Sequence, residues 1–373
     1  MKVAIVHYWL VTMRGGENVL EELCRLYPQA DIFSHVIVPD SLSPVIRAHK
    51  ITTSFISRLP GATRHYQKYL PLMPLALEQF DLRGYDLVIS SESGPAKGVI
   101  TGADTLHICY CHTPMRYLWN MYHDYRESAG RLTRMVMTPA FSYLRQWDYA
   151  SAARVDHFVA NSSTVQRRIA KTYRRASEVI HPPVAVESFC PADQVEDFYL
   201  YCGQLVPYKR ADIAVEAFNR LGLKLVVVGE GSDLPRLARM AGPNITLMGR
   251  QSGEALRGLY ARCRALIFPG EEDFGIVPVE AMASGRPVIA FGKGGVCDSV
   301  QDGIGGILYP DQTVEGLVAA VARFRQEEGR FTQQGITAEA ARFSAARFRQ
   351  QFGDLVTTKL AEFQSKGPPV SGR

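Results

Sequence analysis

Apolar positions recur along this chain in two rhythms. Short runs rich in apolar residues open with Lys2–Leu10 and return at 30–36, 87–90, 106–111 and 156–161, the length and makeup of largely buried strands. Between them apolar residues come back every three or four positions, as Val19, Leu20, Leu23 and Leu26 do after Gly15-Gly16, which is the stripe of an amphipathic helix. The same alternation restarts after His181-Pro182-Pro183, with strands predicted over 198–202, 223–228, 245–248, 265–268 and 287–291. Strands alternating with helices predict a doubly wound parallel sheet, and the restart predicts two of them. The paired prolines stiffen a connector, so the α/β chain divides into domains 1–180 and 181–345 with a closing helical piece, 346–373. In that piece Phe348, Phe352, Leu355, Val356 and Leu360 share helical spacing. With its own sheet complete at 291, the helix is expected to return toward the first domain, and the Pro-, Gly- and Ser-rich end from Lys366 is expected to fray.

Composition narrows this picture. A length of 373 residues suits two cores, and 46% hydrophobic with 21% charged residues suits an ordinary globular protein. No run of eighteen apolar residues exists, so nothing is expected to span a bilayer. The first ten residues read as a buried strand and not a secretion signal, because His7 interrupts them and no small-residue cleavage site follows. Seven scattered cysteines, an odd number, point to a reducing cytoplasm and not to a disulfide framework. Cys109, Cys111, His112 and the nearby His107 alternate as a strand does and lack a second half-site, so no metal is expected.

Charge changes the picture more. Residues 1–180 carry +6 and the remainder −1 of the net +5. No acidic residue lies between Ser41 and Leu77, where Arg47, Lys50, Arg58, Arg64 and Lys68 alternate with Phe55, Leu59, Tyr66, Tyr69 and Leu70. Such a face can lie on anionic headgroups at the inner surface of a membrane, hold an acidic acceptor, or simply be solvated. No nucleic-acid partner is expected.

The chemistry concentrates in Phe268–Pro287, where Glu272 and Glu280 flank a loop containing Gly275. A helix is predicted from Pro278 to Ser284, placing Glu280 in its first turn, with amides ahead of it that can meet an anion. Glu280 can equally complement the helix dipole. Glycine-bearing loops follow the other strands of this half, at Gly203-Gln204, Gly229, Gly249-Arg250 and Gly292 to Gly295, with Lys209 and Arg210 opening a helix. Ligands of open α/β sheets bind at that edge. In the first half, Gly15-Gly16 sits at a helix start that favours a phosphate.

Glu272-Asp-Phe-Gly-Ile-Val-Pro-Val-Glu280, with Gly15-Gly16, His112-Thr-Pro114, Gly203 to Lys209, Gly229-Glu-Gly231, Ala281 to Val288 and Gly294-Gly295, resembles the retaining glycosyltransferases of family 4, which have the GT-B fold. The likeness runs over nearly the whole chain. His7-Tyr-Trp9 and Cys111 to Trp119 look most like bacterial mannosyltransferases of O-antigen or exopolysaccharide synthesis. The resemblance implies two Rossmann-like domains facing across a cleft, and transfer of a hexose, mannose from GDP-mannose, to a lipid-linked or oligosaccharide acceptor. The nucleotide sugar is a substrate; no cofactor or metal is implied. It further implies that Glu280 holds the ribose, that Lys209 with Arg210 holds the diphosphate, and that Gly15 and Gly16 approach the distal phosphate. Glu272 with the amides of Phe274, Gly275 and Ile276 would hold the transferred sugar and the departing phosphate, His112 would lie beside that sugar, and Gln204, Gly229 and Arg250 would line the donor site. Neither Glu need move a proton. Gln204 stands where the family commonly has Arg, and Asp298 where a Glu is usual. A UDP-sugar donor, a sugar-nucleotide epimerase acting without acceptor, and a non-catalytic nucleotide-binding module stay open.

Overall fold

The computed structural model describes residues 1–128 and 130–366. Its internal contacts divide the chain into two units, Met1–His181 together with the segment from Phe348, and Pro182–Arg347.

In the first unit the strands are β1 (Val3–His7), β2 (Asp31–Ser34), β3 (Ile51–Thr53), β4 (Leu87–Glu92), β5 (Leu106–Cys111), β6 (His157–Ala160) and β7 (Ser177–Val179). They form a sheet ordered β3-β2-β1-β4-β5-β6-β7 in which every pairing is parallel. All residues of β1, β4 and β5 are buried, which is why those segments read as mainly apolar runs, with His7, Ser90, Ser91, Glu92 and His107 as their buried polar members. The helix Gly15–Leu26 buries Val19, Leu20 and Leu23 on one side of the sheet. The final helix, Ala345–Lys366, lays Phe348, Phe352, Leu355 and Val356 into the same core as Val3, Ile5 and Ile108. The Phe348 and Phe352 rings meet Tyr110 at 5.7 and 6.2 Å. At about 1.5–3 kcal/mol for each large apolar side chain buried, this seam fixes the helix to the first sheet, and an Arg349–Glu22 ion pair closes its edge.

The second unit holds β8 (Tyr199–Cys202), β9 (Leu225–Val228), β10 (Ile245–Gly249), β11 (Leu266–Phe268), β12 (Val288–Phe291) and β13 (Gly306–Tyr309), ordered β10-β9-β8-β11-β12-β13 and again all parallel. The strand order reverses between β1 and β4 in one sheet and between β8 and β11 in the other. Those switch points open crevices at the carboxyl ends of the strands.

The expected pair of parallel sheets is present, with three strands the sequence pattern does not predict. β3 and β7 have three residues each and are partly exposed edge strands, too short to show a period. β13 begins at Gly306, where a Cβ would come within 1.9 Å of the Val288 carbonyl oxygen. The second sheet therefore continues past Phe291, and the final helix packs on the first sheet for its own apolar stripe and not because the other sheet is full. The expectation for the chain end falls, beyond Lys366, outside the described residues.

Candidate active site

In the second unit the loops leaving the strands are laced to one another. Gly229 N–H donates to Gly249 O at 2.9 Å, Leu205 N–H to Glu230 O at 2.8 Å, and Gly295 N–H to Glu272 O at 2.8 Å. Gly229 has φ +146, and a Cβ there would stand 1.8 Å from Gly203 O. A Cβ on Gly295 would meet Asp273 O and the Phe274 Cα at 2.3 Å. These glycines let loop pack on loop, so the rim that a ligand would meet is a rigid sheet of backbone.

Lys209 and Glu272 face each other on that rim. One turn of 3₁₀-helix, Pro207–Lys209, ends at Arg210, whose φ of +56 is uncommon for a residue with a side chain. The Tyr201 hydroxyl donates to Lys209 O at 3.3 Å, and the Lys209 ammonium pairs with the Glu272 carboxylate, both side chains 19% exposed. The loop carrying Glu272 is held by a short parallel bridge to Gly294 and by a Lys293–Glu271 ion pair of 3.1 Å. Arg210 turns elsewhere: its guanidinium reaches Asp212 at 3.1 and 3.3 Å, and Arg236 approaches the same carboxylate at 3.4 Å. Gln204 and Arg250 are exposed on neighbouring loops.

Gly275, at φ +88, opens the helix Ile276–Ala283, and the Phe274 ring before it is buried 5.4 Å from Phe343. The helix starts two residues earlier than the sequence predicts, so Glu280 is its fifth residue and lies beyond the first turn. The dipole reading of Glu280 loses its basis, because that effect fades within one turn. Glu280 is instead a half-buried carboxylate whose Oε2 accepts from the Tyr260 hydroxyl at 3.0 Å. Burial raises its pKa and the Tyr260 bond only partly offsets this. Tyr260, on the helix Gly253–Arg262, is fully buried and was not legible in the sequence: a tyrosine on an amphipathic helix gives no sign of the carboxylate it will meet.

In the first unit Gly15, Gly16 and His112 gather at the ends of β1, β4 and β5. A Cβ on Gly16 would lie 3.0 Å from the Tyr8 hydroxyl, 3.6 Å from His7 Cε1 and 3.7 Å from His112 Nε2. His112 Nε2 is 3.0 Å from Ser91 Oγ, and His112 N–H donates to Glu92 O at 2.7 Å. Burial, helped by His7, pushes the His112 pKa down to about 3, so the ring is neutral at physiological pH and can give and accept one hydrogen bond. His7 Nε2 stands 3.7 Å from Glu17 Oε1, while the other oxygen of Glu17 accepts the Arg14 amide at 3.0 Å. Glu17 thus caps the helix that begins at Gly15.

Beneath His112 is a buried ionic group that the sequence reading did not find. Lys97, fully buried, pairs with Asp148 and lies 3.3 Å from Glu92 Oε1. Asp148 also accepts from Trp119 Nε1 at 2.7 Å and from the Tyr173 hydroxyl at 3.0 Å. Burial pushes Glu92 up to about 7 despite Lys97. Burial pulls the Lys97 ammonium down, but Asp148 and Glu92 outweigh it and hold it above its ordinary value. Glu92 ends β4 and pairs in register with Cys111, so this charge group fixes the strand ends that carry His112.

Arg47, Lys50, Arg58, Arg64 and Lys68 are all exposed, while Phe55, Leu59, Tyr66, Tyr69 and Leu70 pack around Val36, Ile56 and Met73. Among the described residues no helix is long and apolar enough to cross a membrane.

Comparison with known proteins bears on the fold and the family. Residues 13–188 match the family model Glycosyltransferase Family 4 and residues 196–327 match Glycosyl transferases group 1. The D-inositol 3-phosphate glycosyltransferase of Mycobacterium marinum is 26% identical over 256 residues, 58% of this chain and 54% of its own length. The chain spans about half the length of the curated relatives it matches. Among solved structures, HepE of Anabaena in complex with UDP reaches a TM-score of 0.71 at 16% identity, over 96% of this chain and all of that one. Sucrose-phosphate synthase from Thermosynechococcus elongatus reaches 0.71 at 17% identity, over 97% of this chain and all of its own. At such identities the likeness concerns the fold, while the two sequence matches together take in both units. On these grounds the chain belongs with the family-4-type glycosyltransferases and has their GT-B fold.

Proposed function

We propose that the protein transfers a hexose from a nucleoside diphosphate sugar to a lipid-linked or oligosaccharide acceptor with retention at the anomeric carbon. The observation that carries this reading is the Lys209–Glu272 pair at the switch-point rim of the second sheet, a cation and a carboxylate on fixed loops beside a helix start. Lys209 would take the diphosphate, Glu280 the ribose diol, and Glu272 with the loop amides the hydroxyls of the transferred ring. Gly16 and His112 are assigned to the distal phosphate and the sugar. Arg210 is tied to Asp212, so the charge missing at Gln204 is not replaced by it in this arrangement and Lys209 carries the larger share.

In the proposed step the bond from the anomeric carbon to the phosphate oxygen breaks as the acceptor oxygen attacks the same face, and the acceptor proton passes to the leaving phosphate. The transition state has oxocarbenium character with negative charge growing on the diphosphate. Fixed amide dipoles and the Lys209 ammonium stabilise that charge without reorganising. No side chain needs to act as base. The basic face from Arg47 to Lys68 would hold the protein near its acceptor at the inner face of a membrane.

The donor reading remains mannose from GDP-mannose, and it rests on the subgroup resemblance alone; a UDP-sugar is the second reading, supported by the UDP bound in solved neighbours of this fold. Thermal unfolding with GDP, UDP and ADP separates them, because a ligand of the native state raises the melting temperature according to its affinity. A selective rise with GDP followed by mannosyl transfer supports the proposal. No rise with any of the three sinks the nucleotide site, and turnover of free UDP-sugar without acceptor identifies an epimerase.

A further inference from the structure

The long helix Arg131–Ser151 carries its apolar residues on both sides. Its inner face packs Leu144 and Phe141 with Met115 and Leu118. Its outer face should be charged, as outer faces of helices on globular proteins are. From Met135 to Ala150 none of the nine exposed residues is charged. Met135 is 74% exposed, Val136 64% and Tyr143 56%. Exposed large apolar residues in contiguous positions mark an interaction surface.

The surroundings say what covers it. Leu70 joins the cluster into which the inner face packs, and Trp147 of the helix donates to Glu78 at 3.1 Å, so the acid-free basic segment, with exposed Arg64, Lys68, Leu72 and Leu75, meets this helix at its inner side. The helix itself lies in a second stretch without acidic residues, 128–147, with Arg131 exposed at its start. Asp148, the next carboxylate, is buried against Lys97. Within those two acid-free stretches the exposed charges are cations, Arg64, Lys68 and Arg131 among them, with exposed Glu127 standing just ahead of the helix; an apolar strip flanked in this way complements anionic lipid headgroups above an acyl layer. A second copy of the chain is disfavoured, since face-to-face contact would set cation against cation.

We propose that the outer face of Arg131–Ser151 inserts into the interfacial layer of an anionic bilayer, with the neighbouring cations, Arg64 and Lys68 among them, on the headgroups. Tyrosines suit that depth, having an apolar ring and a polar tip. Binding then has two components. The electrostatic one weakens with salt, and the apolar one persists.

The test is vesicle flotation of the full chain without nucleotide, using phosphatidylcholine vesicles with and without phosphatidylglycerol, at low and high salt. The parent should float with the anionic vesicles and keep part of its binding at high salt. A Met135→Ser, Val136→Ser, Tyr143→Ser variant should bind roughly tenfold less at low salt, with an unchanged melting temperature because these side chains touch solvent. Undiminished flotation of that variant overturns the proposal, as does a parent that floats with neither vesicle. A parent that sediments as a dimer, and a variant that sediments as a monomer, overturns it in favour of a second copy. No nucleotide enters the assay, so its failure and the failure of the transferase reading are separate results.

Discussion

The Lys209 ammonium and the Glu272 carboxylate are bound to each other at the rim of the second sheet, each side chain about one-fifth exposed. A diphosphate drawn to Lys209 must share it with Glu272. Replacing Glu272 with Gln frees the cation and keeps the shape, so affinity for a free nucleoside diphosphate is expected to hold or rise while transfer falls about a hundredfold. Calorimetric titration beside turnover decides this; parallel loss of both would mean that the carboxylate only holds the loop. No new pH optimum should appear, because the proposed step moves no proton through Glu272.

Glu280 trades stability for its site. Its folded pKa is raised by burial, so between the unfolded and folded values the native state holds a proton that the unfolded chain has released, and stability declines as pH rises through that window. Glu280→Gln removes the cost while leaving Tyr260 a partner. The variant should melt a few degrees higher than the parent at about pH 8, with a smaller gain at about pH 5, yet lose donor affinity. A lower melting temperature at both values would refute the account.

Two glycines should fail differently. On Gly16 a Cβ makes one tight contact, with the Tyr8 hydroxyl at 3.0 Å, which a shift of a few tenths of an ångström relieves, and alanine suits a helix better than glycine. Gly16→Ala is therefore expected to fold with near-parent stability and to transfer poorly. Gly229→Ala drives a Cβ into a backbone oxygen at positive φ and should cost about 3 kcal/mol or more. Circular dichroism melts of the two variants read the contrast directly.

Removing Lys97 strands two buried carboxylates. Lys97→Met should destabilise by about 3–5 kcal/mol at neutral pH, the typical cost of breaking a buried ion pair. The loss should shrink toward about pH 5, where Glu92, already pushed up to about 7 in the parent, is protonated. Urea unfolding of variant and parent at both values provides the difference; a penalty independent of pH would remove Glu92 from the network.

Three histidines oppose that trend in the parent. Burial pushes His35 and His112 down to about 3 and His107 to about 4. Below the ordinary histidine value of about 6.5 the unfolded chain takes up protons that these native rings refuse, so stability falls as pH drops from there toward the folded values. Three such sites outnumber Glu92 and Glu280, and the melting temperature is expected to decrease on acidification from about pH 6.5 to about pH 4.5. A flat profile would show that the rings gain solvent on acidification.

The sequence by itself determined the layered α/β architecture, because strands buried on both faces are built mainly of apolar residues, as β1, β4 and β5 are apart from His7, Ser90, Ser91, Glu92 and His107, and a helix covering them has to be striped, as Val19, Leu20 and Leu23 show. It also marked the glycine loops and Glu272 to Glu280, since a switch-point rim needs close backbone approach. Tertiary structure alone decided the pairings. Lys209 with Glu272, Glu280 with Tyr260, and Lys97 with Asp148 join positions 20 to 63 residues apart in the chain, and the loops and strands bearing them meet only when the sheets close. It likewise decided that Arg210 turns to Asp212 and that Met135 and Val136 face outward. Periodicity shows that a helix has an apolar stripe, but which side of that stripe finds a core is settled only by the neighbours it packs against.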